Sequence, residues 1–445
     1  MRRFNESTTV PQKYWSIAEV CGFCRILGER ESRRTFMQDT ELYQYILGLE
    51  SPWAVSNVDL NVELGEIVVK VSHPKGTRFC CPECSKELGC YDHSPPRRWR
   101  HLDSCQFKTM LEASIPRVDC PEHGVKQASV PWSSPNSRFT LMFEAFAIRL
   151  LKATQTVEGA RTILRIGWEA TWSILERAVE RGQARKQSSP LPHIGIDEKS
   201  FKKGHNYITL IYDLDNSTVE AISEGHNEEA ANECFSQLLP GQIETVEAIA
   251  MDMSSAFVKS AKSNIPQAEE KIVHDRFHVM KLANEAVDKV RKEENKRLRA
   301  DGDDTLKGTR YLFLKNYDNL KESKRQDLDA LFTSKLETGK AWTYKEMLRD
   351  LWHHESASEA KEFFNWWYRK VIHTKLEPLK KVARTIRQRI DNVVSYCTFG
   401  GISNGVAEGI NSKIQAIKRR VGGYRNRQNY KTAIFFYCGG LKLNP

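Results

Sequence analysis

HIGIDEKSFKKGHNYITLIYDLDNSTVEAISEGHNEEAANECFSQLLPGQIETVEAIAMD, residues 193–252, is the stretch that decides the fold. Short apolar runs alternate with polar turns. His193–Asp197, Asn206–Leu214 and Thr218–Ser223 read as three successive strands, joined tightly, as by Asp213-Leu214-Asp215-Asn216-Ser217. Helical periodicity takes over at Asn227–Leu238, followed by a strand at Glu244–Asp252, a helix at Ser255–Lys262 and a strand at Glu270–His274. Two of the apolar runs close on an aspartate, Ile194-Gly195-Ile196 on Asp197 and Ala248-Ile249-Ala250-Met251 on Asp252.

Three meander strands and a helix, then strand, helix, strand, is the order of the ribonuclease-H-like fold. There the first and fourth strands lie side by side and parallel, so their terminal aspartates become neighbours. Glu198 should point to the opposite face by strand alternation, and ranks below Asp197. A third carboxylate, Glu408, lies in the helical stretch Asn404-Gly405-Val406-Ala407-Glu408-Gly409-Ile410-Asn411, which runs on into Lys418-Arg419-Arg420. Two strand-end aspartates and a helical glutamate can converge into an oxygen-rich pocket. Such a pocket suits two divalent hard cations, and paired metals catalyse in-line displacement at phosphodiesters. The catalytic domain would comprise residues 193–278 and 396–430, interrupted by a charged helical insertion, 279–395. Within the insertion, Phe363-Phe364-Asn365-Trp366-Trp367-Tyr368 has the spacing of core aromatics, with a stacking platform for unpaired bases as the alternative.

At 445 residues the chain exceeds one ordinary core and should be multidomain. The net charge of +10 and pI near 8.9 favour a polyanionic partner. After Glu408 no Asp or Glu occurs, whereas Lys413, Lys418, Arg419, Arg420, Arg425, Arg427, Lys431 and Lys442 follow. A basic tail beside a carboxylate pocket suits a phosphate backbone passing metals; the alternative is a solvated helix face. No run approaches the roughly 18 apolar residues of a membrane span. Met1–Ser7 carries no apolar signal core, so a cytoplasmic location is expected.

Eleven cysteines, unevenly spread, argue for metal binding over a disulfide framework. Cys81-Pro82-Glu83-Cys84 is followed, after 35 residues, by Cys120-Pro121-Glu122-His123. Two such knuckles supply four ligands for tetrahedral structural zinc, with Trp99–Asp103 and Met110–Ile115 alternating as a hairpin between them. This defines a zinc-ribbon-like module, 41–135, in which Cys80, Cys90, Cys105 and His93 compete for the same metal. Cys21-Gly22-Phe23-Cys24 lacks a matching pair and sits in an extension, 1–40, of unassigned role. Arg98 and Arg100 form a basic hairpin edge open to phosphate contact, or simply an exposed polar strand.

Residues 136–182 are helical. Phe143, Phe146, Ala147, Leu150 and Leu151 line a first helix, Thr156-Val157-Glu158 starts a second, and Trp168 begins a third after Gly167. Helix, glycine turn, helix is the helix-turn-helix pattern, with Trp168 and Thr171 at the end that enters the major groove. A plain helical hairpin fits the pattern too. Residues 183–192 read as a linker, and 431–445 as a tail.

From about residue 41 onward the chain resembles the ISL-three family of bacterial insertion-sequence transposases. The motifs are Gly195-Ile196-Asp197-Glu198, Met251-Asp252-Met253-Ser254, His274-Asp275-Arg276-Phe277-His278 and Asn404–Asn411, ending in Gly422-Gly423-Tyr424-Arg425-Asn426. The resemblance implies that Asp197, Asp252 and Glu408 are a DDE triad holding Mg²⁺ (or Mn²⁺). It implies binding of the element's ends, cleavage there, and joining of the freed 3′-hydroxyl to target DNA, by a homodimer or larger assembly at the bacterial nucleoid. His278 would contact a phosphate, orient a carboxylate or be buried. Asn404 and Asn411 flank Glu408 on its helix face, to orient it or touch DNA. Lys418, Arg419, Arg420 and Arg425 would bind DNA. Two other readings stay open: a zinc and helix-turn-helix regulator without catalysis, and a structure-specific nuclease.

Overall fold

The computed structural model describes residues 37–202, 206–332, 335–399, 402 and 405–445. The expectations for Cys21 and Cys24 and for Asn404 therefore lie outside the described residues. Two compact units divide at Thr140 and Leu141. No helix among the described residues is long and apolar enough to cross a membrane.

The first unit opens with α1 (Asp39–Leu47), ended by Gly48 in the left-handed conformation. Eight strands follow: β1 (Ala54–Asn61), β2 (Glu66–Ser72), β3 (Arg78–Cys80), β4 (Glu87–His93), β5 (Arg97–Arg100), β6 (Lys108–Ala113), β7 (Pro116–Cys120) and β8 (Gly124–Gln127). They form two four-stranded sheets, ordered β1-β2-β6-β5 and β3-β4-β7-β8. The expected hairpin is β5 against β6, with Trp99 opposite Leu111. It alternates so that Thr109, Leu111 and Ala113 are buried. Trp53, Trp99 and Trp132 meet edge to face in the core, at 4.8 and 5.6 Å.

The second unit begins with α2 (Leu141–Thr154), α3 (Val157–Leu164) and α4 (Trp168–Ala184). Thr156 caps α3, accepting from the Gly159 amide at 3.0 Å. Helices α2 and α4 are clamped by fully buried Glu144, bonded to Arg177 at 2.6 Å and paired with Arg181. Next come β9 (His193–Lys202), β10 (Asn206–Asp213), β11 (Thr218–Glu224), α5 (Glu228–Ser236), β12 (Ala248–Met251), α6 (Ser255–Asn264), α7 (Ala268–Lys271) and β13 (Ile272–His274). The sheet order is β11-β10-β9-β12-β13. The first three strands are antiparallel, and β9, β12 and β13 run parallel.

Element order matches the expectation apart from the added short helix α7, and three strand boundaries move. β9 runs past Asp197 to Lys202, because antiparallel β10 continues beside it while β12 stops at Met251. β12 starts only at Ala248: Ile243–Thr245 form a 3₁₀ turn, where the Thr245 hydroxyl donates to the Gln242 carbonyl at 2.7 Å. β13 shrinks to its three apolar residues, because Glu269, Glu270 and Lys271 belong to α7.

Beyond β13, α8 (Arg276–Ala300), α9 (Arg310–Leu314), α10 (Glu322–Phe332), α11 (Glu337–Leu348), α12 (Ala357–Ile372), α13 (Glu377–Arg387) and α14 (Ile390–Thr398) share one hydrophobic core. Phe364 and Trp367 are buried in it, whereas Trp366 is exposed. Helix α14 returns to the sheet edge, where Ser395 donates to the Ile272 carbonyl at 3.0 Å. The chain ends with α15 (Gly405–Arg420) and α16 (Arg427–Cys438). Their apolar faces, including Ala407, Ile410, Ile414, Tyr430 and Ile434, pack with Leu210 and Tyr212 of the sheet. The other face carries Ile194, Ile196 and Ile211 with Phe235 and Phe257 of α5 and α6.

Candidate active site and metal centre

The parallel ladder sets the site. Ile196, Met251 and His274 share one row, and each is followed by an aspartate: Asp197, Asp252 and Asp275. Three neighbouring strands thus present carboxylates one residue beyond the same level. Each is held by backbone. Asp197 Oδ1 accepts from the Glu198 amide at 2.8 Å, and Asp252 Oδ1 from the Ser254 amide at 2.8 Å. Asp275 caps α8 by accepting from the Phe277 amide at 2.7 Å.

Helix α15 brings Glu408 to this edge in its first turn. One turn on, Asn411 is buried and donates its amide to Asp197 Oδ2 at 2.7 Å. The Asn411 carbonyl accepts from the Tyr212 hydroxyl at 2.9 Å, and Tyr212 is itself fully buried on β10. Asn411 therefore orients Asp197; the sequence had paired it with Glu408.

The electrostatics agree with a shared pocket. Burial raises the proton affinity of Asp197, with Asp252 adding to it, while His278 and the Asn411 amide oppose it. Burial likewise raises Glu408, with further contributions from Asp275 and Asp197 and opposition from His278. His278 thus acts electrostatically on both Asp197 and Glu408. His274 is buried, which pushes its imidazole down to about 4. Glu198 is also raised, mainly by burial; it lies beside His226 and Lys281 yet still feels Asp252. Asp275 was read from sequence only as part of the His274–His278 motif, and the structure sets it at the same edge. It follows the third parallel strand as Asp252 follows the second.

In the first unit, Cys81, Cys84, Cys120 and His123 place their donor atoms within 4.8 Å of one another. Among the described residues this is the one group of three or more His, Cys, Asp or Glu so closely gathered. Cys81 and Cys84 lie in the turn after β3; Cys120 ends β7, and Gly124, at φ 66°, starts β8. His123 beside Cys120 draws that thiol down to about 6. The competitors sit elsewhere. Cys90 donates to the Asp92 carbonyl at 3.2 Å, His93 Nε2 contacts His73 Nε2 at 2.9 Å, and Cys80 and Cys105 are exposed.

Two expected DNA contacts are corrected. Arg100 is buried and bonds the His101 carbonyl at 2.7 Å and the Asp103 carboxylate, so it braces the loop after β5. Thr171 is fully buried, with its hydroxyl donating to the Gly167 carbonyl at 3.0 Å. Trp168, Arg419 and Arg425 are exposed, while Arg98 is exposed but paired with Glu112 at 2.7 Å. Lys418 donates to the Ser200 carbonyl at 3.2 Å, and Arg420 to the Gln155 side chain. The basic tail is also not uniformly free: Arg427 and Lys431 both pair with Glu224.

Comparison with known proteins matches this arrangement segment by segment. Residues 194–434 match a family described as transposase, which gives the class: a DDE-type transposase. Residues 77–123 match the zinc-finger of transposase IS204/IS1001/IS1096/IS1165, and 128–179 the helix-turn-helix domain of transposase family ISL3. The chain belongs to the transposase family ISL3. Among its relatives, the transposase for insertion sequence element IS1001 of Bordetella parapertussis is 27% identical over 88% of this chain and 97% of its own. The transposase for element IS1557 of Mycobacterium tuberculosis is 24% identical over 88% and 94%.

Proposed function

We infer that the chain binds the ends of its own insertion sequence, cleaves the DNA there and joins the freed 3′ end to a target. The sheet order, with three antiparallel strands followed by two parallel ones, supports a ribonuclease-H-like catalytic domain, and α8–α14 an insertion within it. The observation that carries the reading is the row of Asp197 and Asp252, with the Glu408 helix tied to it through Asn411.

The donor set fits divalent hard cations. All its atoms are carboxylate oxygens, burial raises Asp197 and Glu408, and no lysine or arginine ion pair reaches Asp197, Asp252 or Glu408 among the described residues. Asp197, Asp252 and Glu408 would together hold two Mg²⁺ or Mn²⁺ ions. When bound, such ions neutralise charge on the phosphate and activate its attacker. The chain's own residues do the rest. Asn411 holds Asp197 in one orientation, His278 favours the charged forms of Asp197 and Glu408, and Lys418 and Arg419 at the far end of α15 offer charge to the DNA backbone. Cys81, Cys84, Cys120 and His123 would hold structural zinc. Pairing two element ends calls for at least a dimer.

The test is a supercoiled plasmid carrying both element ends, incubated with Mg²⁺ or Mn²⁺, and a parallel reaction with pre-cut ends. Nicking at the ends and joining of the pre-cut DNA are expected. Cutting without joining would leave only a nuclease, and binding without either would leave a regulator. In the same assay Asn411→Leu should slow nicking by about 10- to 100-fold and raise the Mn²⁺ needed for half-maximal rate. Tyr212→Phe, which keeps the Asn411–Asp197 bond, should lose less.

A further inference from the structure

In the second unit, a cavity of about 690 Å³ lies where the starts of α3 and α4 meet the chain leaving α15. That volume is within the roughly 300–1,000 Å³ of small-ligand sites. One wall is aromatic. Trp168 and Trp172 stack with centroids 5.5 Å apart and planes 4° apart. Trp172 is fixed by donating its indole N–H to Glu176 at 2.6 Å, while Trp168 is 44% exposed. Arg420 and Arg425 also line it; Arg420 donates to the neutral Gln155 side chain, and no ion pair among the described residues engages either arginine. Gly422 and Gly423, at φ 67° and 100°, turn the chain between them so that both line the same space. The acid on the lining, Glu158, is occupied by two 2.6 Å bonds from Arg161.

A helix that reads base pairs in the major groove presents Arg, Lys, Asn or Gln to their edges. The exposed residues of the first turn of α4 are Trp168 and Glu169, which do not fit that task. An indole face is instead a stacking surface, and only a base that has left its own stack can lie on it. We propose that this cavity binds a single unstacked nucleotide of a DNA strand, its base laid on Trp168 and its phosphate held by Arg420 and Arg425. Because Arg420 ends the helix that Glu408 begins, the captured nucleotide sits about 18 Å along α15 from the catalytic edge. A rigid helix thereby sets how far from the capture point the strand meets the carboxylates.

The proposal rests on the transposase reading only for the class of polymer. It is tested with chain carrying Asp252→Asn in magnesium-free buffer, so that chemistry plays no part. The probes are a short duplex with one bulged 2-aminopurine and the same duplex fully paired. Tighter binding of the bulged duplex, by about tenfold, is expected, together with quenching of its fluorescence by the indole. Trp168→Ala should bring the bulged duplex to the affinity of the paired one and remove the quench. Trp168→Phe, which keeps an aromatic face, should retain most of both. Equal affinity for the two duplexes, or a quench that survives Trp168→Ala, would overturn the proposal. Neither result touches the plasmid assay, and failure of that assay leaves this binding test standing.

Discussion

Asp252→Asn should lower end cleavage on the order of 10³-fold or more while the protein still retards element-end DNA in a gel. Asparagine keeps the size of the side chain and an oxygen that can accept from the Ser254 amide, so the start of α6 is preserved. What it removes is a negative charge at the row where β9, β12 and β13 end. Asp197→Asn should be as inactive, and it adds a signature that separates a metal site from a structural carboxylate. The Asp197 carboxyl has its proton affinity raised by burial. With the folded value above the unfolded one, the native state holds the proton more tightly, so this group's contribution to stability falls as pH rises from the ordinary carboxylate range through the raised value. Above that range the metal-free Asn variant should therefore melt higher than wild type. Added Mn²⁺ should raise the melting temperature of wild type and leave the variant unmoved. A variant that melts lower in the absence of metal, or one that still cleaves, would remove Asp197 from the site.

The site was legible in the sequence where chemistry is carried by chain position. Strand-end aspartates need only a correct count of strands, and Cys81, Cys84, Cys120 and His123 announce themselves by spacing; the structure gathers all four. What sequence could not give is register between distant segments. That Tyr212 reaches Asn411 depends on which residue of β10 lies opposite Gly195, and on how α15 is rotated over the sheet. Neither leaves a trace in local periodicity. That Asp275 stands level with Asp197 and Asp252 likewise depends on β13 pairing beside β12 in register, His274 opposite Met251. Arg100 and Thr171 were misread for another reason. An arginine in a basic run and a threonine near a helix start look exposed until the partners that cover them, Asp103 and the neighbouring helices, are known.

Cys120→Ala should unfold the sheet β3-β4-β7-β8 and leave the second unit intact. The four donors join the turn after β3 to the turn between β7 and β8, so they tie the first strand of that sheet to its last two. The strands are short: β3 has three residues and β8 four. Hydrogen bonding over such lengths stabilises little by itself. Zinc bound by thiolates and imidazole contributes roughly 10–16 kcal/mol in zinc-finger peptides, against the about 5–15 kcal/mol of net stability typical of a whole domain, so losing it exceeds what the sheet can bear. The low affinity of the Cys120 thiol for its proton, set by His123, already favours the thiolate that a metal requires. Hydrogen exchange read by mass spectrometry should show β3, β4, β7 and β8 losing protection in Cys120→Ala, or on chelation, while β9 to β13 keep theirs. Cys90→Ala should keep both its protection and its zinc, since Cys90 lies with His93 outside the four-donor group. If Cys90→Ala released the metal and Cys120→Ala did not, the ligand set would have to be redrawn around the β4 histidine.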